Sequence, residues 1–120
     1  MNIAIAATVP STRVADLQQL APGAAVRVLP NAAALDEHLD WIEVVFGNIA
    51  PEQVARAPRL RWVQLISSGF EPYLTLRDSP VLLTTARGVT SRAGAEHVLA
   101  MMLTFTRQTL FFRARQQEQV

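Results

Sequence analysis

With 11 basic residues, all arginine, against 10 acidic ones in 120, the chain is almost neutral at +1, and its arginines are spread from position 13 to 115. That scatter excludes the clustered basic stripe of a nucleic-acid binder. The absence of cysteine excludes disulfides, thiolate chemistry and cysteine-based metal sites. Half of the residues are hydrophobic and the mean hydropathy is +0.18. One domain of this length can bury a real core, and the surplus of apolar residues asks for a partner or further chain to cover it.

The apolar runs are short and evenly spaced. Asn2–Thr8, Ala25–Leu29, Ile42–Phe46, Trp62–Ile66 and a shorter Val81–Thr84 read as five strands. Continuous rather than alternating apolar character is the pattern of a parallel sheet covered on both faces. Helical patterns lie between them. Ser11 or Thr12 is placed to cap a helix through about Leu20, which Pro22-Gly23 stops. Asn31 is placed to cap Ala32–Leu39, and Pro51 opens a helix that Pro58 ends. This rhythm predicts an α/β fold: a three-layer, doubly wound parallel sheet of about five strands. From Ser91 to Arg115 no breaker follows Gly94, so the spacing predicts one long C-terminal helix of about 25 residues, about 37 Å. Its apolar residues, among them Val98, Met102, Phe105 and Phe112, cover far more than a single stripe. Residues 91–112 are therefore expected to mediate self-association, as a homodimer or larger assembly.

No run approaches the roughly 18 apolar residues of a membrane-spanning helix. The start, Met-Asn-Ile-Ala-Ile-Ala-Ala, lacks the basic region of a signal peptide. The expectation is a cytoplasmic protein without membrane or nucleic-acid partners.

Chemistry-bearing residues concentrate in the loops that follow the strands. Ligands of open α/β sheets bind outside the carboxyl ends of the strands. There, Ser67-Ser68-Gly69 leaves backbone N–H groups that an anion would accept, although Ser and Gly serve ordinary turns as well. Gly47-Asn48 faces the same edge, as pocket wall or simple turn, with Phe46 or Ile49 as alternative contacts to a substrate side chain. Arg87 is either an anion ligand or a solvated loop residue, and Thr90 or Ser91 is a credible helix cap. Glu96 and His97 are adjacent on the helix and point apart, so they form no acid–base dyad. His38 with Asp36, Glu37 and Asp40 lacks a third ligand at metal-binding spacing. A phosphoacceptor receiver is excluded by the absence of lysine and of an acidic cluster after the first strand. An FMN-binding flavodoxin-like protein finds faint support in Thr8, Ser11 and Thr12, against Pro10, which removes an amide.

Residues 58–108 resemble the NAD-dependent D-isomer-specific 2-hydroxyacid dehydrogenases. Four pieces match in order: "APRLRWVQ", "SSGFE" for the family's Ser-x-Gly-x-Asp/Glu loop, "LLTTARGV" with Thr85 where Asn is usual, and "TSRAGAEHVLAMMLTFTRQ" with its Ala-Glu-His core. The resemblance implies an oxidoreductase that moves a hydride between NAD(P)H and a small 2-keto or 2-hydroxy acid. It implies residues 1–90 as a flavodoxin-like substrate domain and 91–120 as a long linker helix leading to a Rossmann domain that these residues do not contain. It assigns Ser68 and Gly69 to the substrate carboxylate and Gly47 and Asn48 to the pocket wall. Arg87, Gly88, Thr90 and Glu96 fall to the hinge near the cofactor. Glycines 23, 47, 69, 88 and 94 make no Gly-x-Gly-x-x-Gly. The catalytic Arg, Glu and His of the family have no counterpart here, since His38 and His97 do not match the catalytic position. The expectation is a truncated, inactive portion of an enzyme: NAD or NADP serves the intact enzyme, and neither cofactor nor metal is bound by this chain.

Overall fold

A computed structural model describes residues 1–118. The chain divides into two compact units, Met1–Ala86 and Arg87–Val120.

The first unit is a five-stranded parallel sheet of order β2-β1-β3-β4-β5, with β1 at Asn2–Ala6, β2 at Ala25–Val28, β3 at Val44–Gly47, β4 at Trp62–Gln64 and β5 at Leu82–Thr84. All four pairings are parallel. All five expected strands are present, most of them shorter than the apolar runs that announce them. Ile42 and Leu65 are fully buried yet lie outside the paired segments, because an apolar run reports burial and not ladder pairing. Helix α1 spans Ser11–Leu20, α2 Ala32–Asp36 and α3 Pro51–Arg56, and a 3-10 helix that the sequence does not announce covers Glu71–Leu76.

The caps differ in kind. Asn31 caps α2 as expected, its side chain accepting from the Ala34 N–H at 2.9 Å. Pro10, not Ser11 or Thr12, occupies the cap position of α1, and no side chain closes that end. Gln53 is buried and satisfied at both ends of its amide. Its Oε1 accepts from the Ala50 N–H at 3.2 Å and its Nε2 donates to the Ala32 carbonyl at 2.9 Å, which ties α3 to α2.

Register sorts the strand residues onto two faces. Ala4, Val45, Val63 and Leu83 align across β1, β3, β4 and β5. The first three are fully buried, packed with Leu35 of α2 and Val54 of α3. The opposite face carries Ile5 and Phe46 against α1, where an apolar hollow of about 410 Å3 includes Leu17 and Leu20. This second face is covered unevenly: Ile5 is fully buried, but Phe46 is 39% exposed, Trp62 40% and Leu82 58%. The expectation of a sheet covered on both faces thus holds on one face and fails over β3–β5 on the other. Only one helix of the first unit packs on that side.

The second unit holds α4, Ser91–Thr106, and α5, Thr109–Gln117. Helical structure is present there, but the expected single 25-residue rod is corrected to two helices. At the junction Gln108 adopts φ 52° and ψ 36°, a left-handed conformation that costs a non-glycine residue roughly 1–2 kcal/mol. Thr104 and Thr106 precede it and turn their hydroxyls back onto the carbonyls of Ala100 (2.8 Å) and Met102 (3.0 Å). Such back-bonding competes with the helical ladder and bends it. No residue of α4 or α5 is buried.

Candidate functional site

β3 and β4 are neighbours, so the loops that leave them emerge side by side at the carboxyl edge of the sheet. In the loop after β4 three carbonyls are engaged. The Ser67 carbonyl accepts the Ala86 N–H at 3.0 Å, that of Gly69 accepts the Ser67 hydroxyl at 3.2 Å, and that of Phe70 accepts the Tyr73 N–H at 2.8 Å. The N–H groups of Ser68 and Gly69 donate to no protein group among the described residues, and neither residue is buried. Two adjacent accessible amides of this kind are donors that an anion can use. One group opposes it: a Cβ on Gly69 would stand 2.9 Å from a carboxylate oxygen of Glu71. An anion approaching Gly69 meets that carboxylate, which must swing aside on its flexible stem.

The loop after β3 is built differently. Gly47 is buried with φ +126°, and a Cβ there would overlap the Ala6 carbonyl. This glycine is required by the close approach of β1, whatever else the loop does. Asn48 is exposed and lines a hollow of about 220 Å3 with Ala6, Asn31 and Gln53. The alternatives Phe46 and Ile49 separate: Phe46 lies on the α1 face, and Ile49 is buried in the core. The Ile49 carbonyl accepts the Tyr73 hydroxyl at 2.6 Å, which couples the two loops. Burial raises the Tyr73 pKa, partly offset by that hydrogen bond. Tyr73 is the residue that reading the loops from sequence misses. Its one signal is Pro72 at the start of a short helical turn.

Behind Phe70 and Tyr73 a cavity of about 260 Å3 runs under the 3-10 helix, lined by Val54, Val63, Leu76 and Leu83. On the exposed side of β4–β5, Trp62 Nε1 donates to Thr84 Oγ1 at 2.8 Å, and that hydroxyl donates to Gln64 Oε1 at 2.7 Å.

The expected hinge residues belong to the second unit. Arg87 is exposed, and Gly88 has φ +89° with open space around it. Thr90 takes the cap position of α4 without a side-chain hydrogen bond, so the capping role expected of Thr90 or Ser91 is not performed. Glu96 pairs with Arg92 at 2.8 Å, one turn earlier on the exposed surface. His97 is exposed. His38 stacks edge-on to Trp41 with ring centroids 6.4 Å apart, and its Nδ1 is buried without a hydrogen-bond partner. Among the described residues no group of three or more His, Asp or Glu stands together as a metal site. No helix among them is long and apolar enough to cross a membrane.

No family model and no curated protein matches the chain. Solved structures do. Phosphoglycerate dehydrogenase from Lactobacillus plantarum is 28% identical, with a TM-score of 0.59, over 89% of this chain and 36% of its own. The TT0316 protein from Thermus thermophilus is 22% identical, with a TM-score of 0.69, over 98% of this chain and 40% of its own. The chain thus spans 36–40% of the length of these two proteins. The second likeness establishes fold alone, and the first is to a dehydrogenase. The chain shares its α/β architecture with a part of these two proteins, and two coupled loops lie at the carboxyl edge of its sheet.

Proposed function

We infer that the chain is the substrate-binding portion of an NAD(P)-dependent D-2-hydroxyacid dehydrogenase, and that the amides of Ser68 and Gly69 hold the carboxylate of a small 2-keto or 2-hydroxy acid. The supporting observation is the loop after β4, where the carbonyls of Ser67, Gly69 and Phe70 accept from protein groups while the Ser68 and Gly69 N–H groups donate to none among the described residues. Two N–H donors on one carboxylate fix its plane, and so orient the adjacent carbonyl for attack from a defined side. Charge-assisted hydrogen bonds of this kind are stronger than neutral ones. Asn48 on the neighbouring loop is placed to wall the substrate's side chain, and Tyr73 holds the two loops in register through the Ile49 carbonyl. Gly47 serves the same wall through its backbone.

The residues present do not fit a dinucleotide. The five glycines supply no Gly-x-Gly-x-x-Gly turn, and no catalytic Arg–Glu–His set is recognisable. Binding of NAD or NADP and hydride transfer therefore belong to other parts of an intact enzyme, and the 120 residues alone should not turn over glyoxylate with NADH. Arg87, Gly88, Thr90 and Glu96 take the hinge in this reading.

The test is calorimetry with oxalate, a planar dianion that mimics a 2-keto acid. Ser68→Ala keeps the amide and should bind as the unmodified chain does. Ser68→Pro removes the amide and should lose binding about tenfold, the loss of one hydrogen bond to a charged group. Equal binding by Ser68→Pro contradicts the assignment.

A second reading rests on a separate observation. The large apolar side chains of α4 and α5 are 48–72% exposed, which supports self-association through residues 91–112.

A further inference from the structure

The loops at the carboxyl edge of the sheet carry almost no fixed charge. In the segments that follow the five strands within the first unit, residues 7–10, 29–31, 48–50, 65–71 and 85–86, Glu71 is the one charged residue. No arginine stands in these segments to balance it. Glu71 is exposed, and among the described residues its carboxylate forms no ion pair and accepts no hydrogen bond. It also lies close to the unused amides of Ser68 and Gly69. One of its oxygens stands 2.9 Å from the place that a Cβ on Gly69 would take. A negative charge thus touches the residue that supplies one of the two donors.

This combination suits some ligands better than others. A 2-keto or 2-hydroxy acid brings one negative charge and nothing positive, so it gains the two N–H donors and pushes Glu71 away. A 2-amino acid brings both signs. Its carboxylate and its ammonium group sit on one carbon, so a site for it must offer donors and a negative charge side by side. An ionised carboxylate only accepts hydrogen bonds and an ammonium group only donates them. The Ser68 and Gly69 N–H groups match the first, and the unpaired Glu71 carboxylate matches the second.

We propose that the loop after β4 also binds a small 2-amino acid as its zwitterion, with the carboxylate on the amides of Ser68 and Gly69 and the ammonium group on Glu71. This inference rests on the carboxylate reading of those amides, and it adds a second ligand class and a role for Glu71. The 2-amino acid and the 2-keto or 2-hydroxy acid then compete for one pair of donors. The amino acid has no carbonyl beside its carboxylate to receive a hydride, so in an intact enzyme it acts as a competitive inhibitor. Glu71 determines the specificity: it keeps its place for an ammonium group and swings aside for a plain acid. Because the ion pair is exposed, it is worth about two- to fivefold in affinity and is screened by salt.

The test compares glycine with glycolate, which differ by an ammonium group in place of a hydroxyl. Amide shifts of Ser68 and Gly69 are followed in the isotope-labelled full chain at low ionic strength. Glycine should half-saturate these shifts at a concentration about two- to fivefold lower than glycolate does. Glu71→Gln, a neutral side chain of the same shape at an exposed position, should weaken glycine and strengthen glycolate, so that the order is lost or reversed. Saturation by glycolate with glycine equal or weaker overturns this inference and leaves the carboxylate reading standing. No saturable shift at Ser68 and Gly69 with either ligand overturns both together. A preference for glycine that survives in Glu71→Gln overturns the role of Glu71 and the zwitterion site with it. Should Glu71→Gln not fold, salt takes its place. The advantage of glycine should shrink as salt is added, and an advantage that salt leaves unchanged contradicts the proposal.

Discussion

The two units of the chain stand in opposite relation to water. In Met1–Ala86 thirteen hydrophobic residues are buried, five of the larger ones almost completely. In α4 and α5 none is, although apolar residues are as frequent in α4 as in the strands and helices before it. The difference teaches that hydrophobic pattern alone specifies a need for burial and not its supply. A βαβ unit brings its own cover, because each crossover helix returns to the sheet. A helix pair has only the stripe where its members meet, so the remainder must come from elsewhere.

The sharpest way to break this contrast is a matched pair of truncations. Ile42→Ala, at a fully buried position, should destabilise by about 2–5 kcal/mol in urea unfolding of dilute protein. Leu110→Ala, at a position 62% exposed, should stay within about 0.5 kcal/mol. Equal costs would show that the second unit has a core of its own.

Next in size is Gly47→Ala, which must relieve both a positive φ and an overlap with the Ala6 carbonyl. A loss of about 2 kcal/mol or more is expected in thermal unfolding, with the β1–β3 pairing most affected. Gly23→Ala has open space and no positive φ, so it should be nearly neutral and serves as the control.

A smaller effect of opposite sign is expected at the helix junction. Gln108→Gly removes the left-handed penalty and should stabilise the break by up to about 1 kcal/mol. Carbon chemical shifts should show α4 still ending near Thr106, and a continuous helix through 108 would contradict the two-helix description.

The smallest effect is pH-dependent. Glu43 accepts from the Asn2 N–H at 2.6 Å and faces the chain's amino terminus and Arg59. Chiefly through that backbone hydrogen bond, its pKa is lowered from the ordinary value of 4.5. A lowered folded pKa gives stability that is present above the unfolded pKa and is lost as pH falls through the folded one. Stability should therefore fall with acid below about pH 4.5, and Glu43→Gln should flatten that part of the profile.

Much of the fold was legible because parallel strands covered by helices must read as short continuous apolar runs. The strand count, the doubly wound parallel sheet and the Asn31 cap follow from pattern and position. What stayed hidden has physical causes. Thr104 and Thr106 turn hydroxyls that sequence pattern counts as neutral onto their own helix, and the Gln108 turn that follows carries no glycine or proline to mark it. The bare half of the sheet was hidden because Trp62 and Leu82 look the same in sequence whether or not a helix lies over them. At the site, the loop Ser67-Ser68-Gly69 was legible from its place after a buried strand. Gly47 showed its glycine but not its reason, which is the Ala6 carbonyl. The Tyr73–Ile49 link, which couples residues 24 positions apart, has no local signature.

In the proposed function the amides of Ser68 and Gly69 receive a carboxylate. The direct measurement is a titration of the isotope-labelled chain with glyoxylate, followed by amide proton and nitrogen shifts. Expected are saturable shifts that are largest at Ser68 and Gly69, with smaller ones at Asn48 and Glu71 as the Glu71 carboxylate moves aside. Saturable shifts centred elsewhere, or none at Ser68 and Gly69, would contradict it.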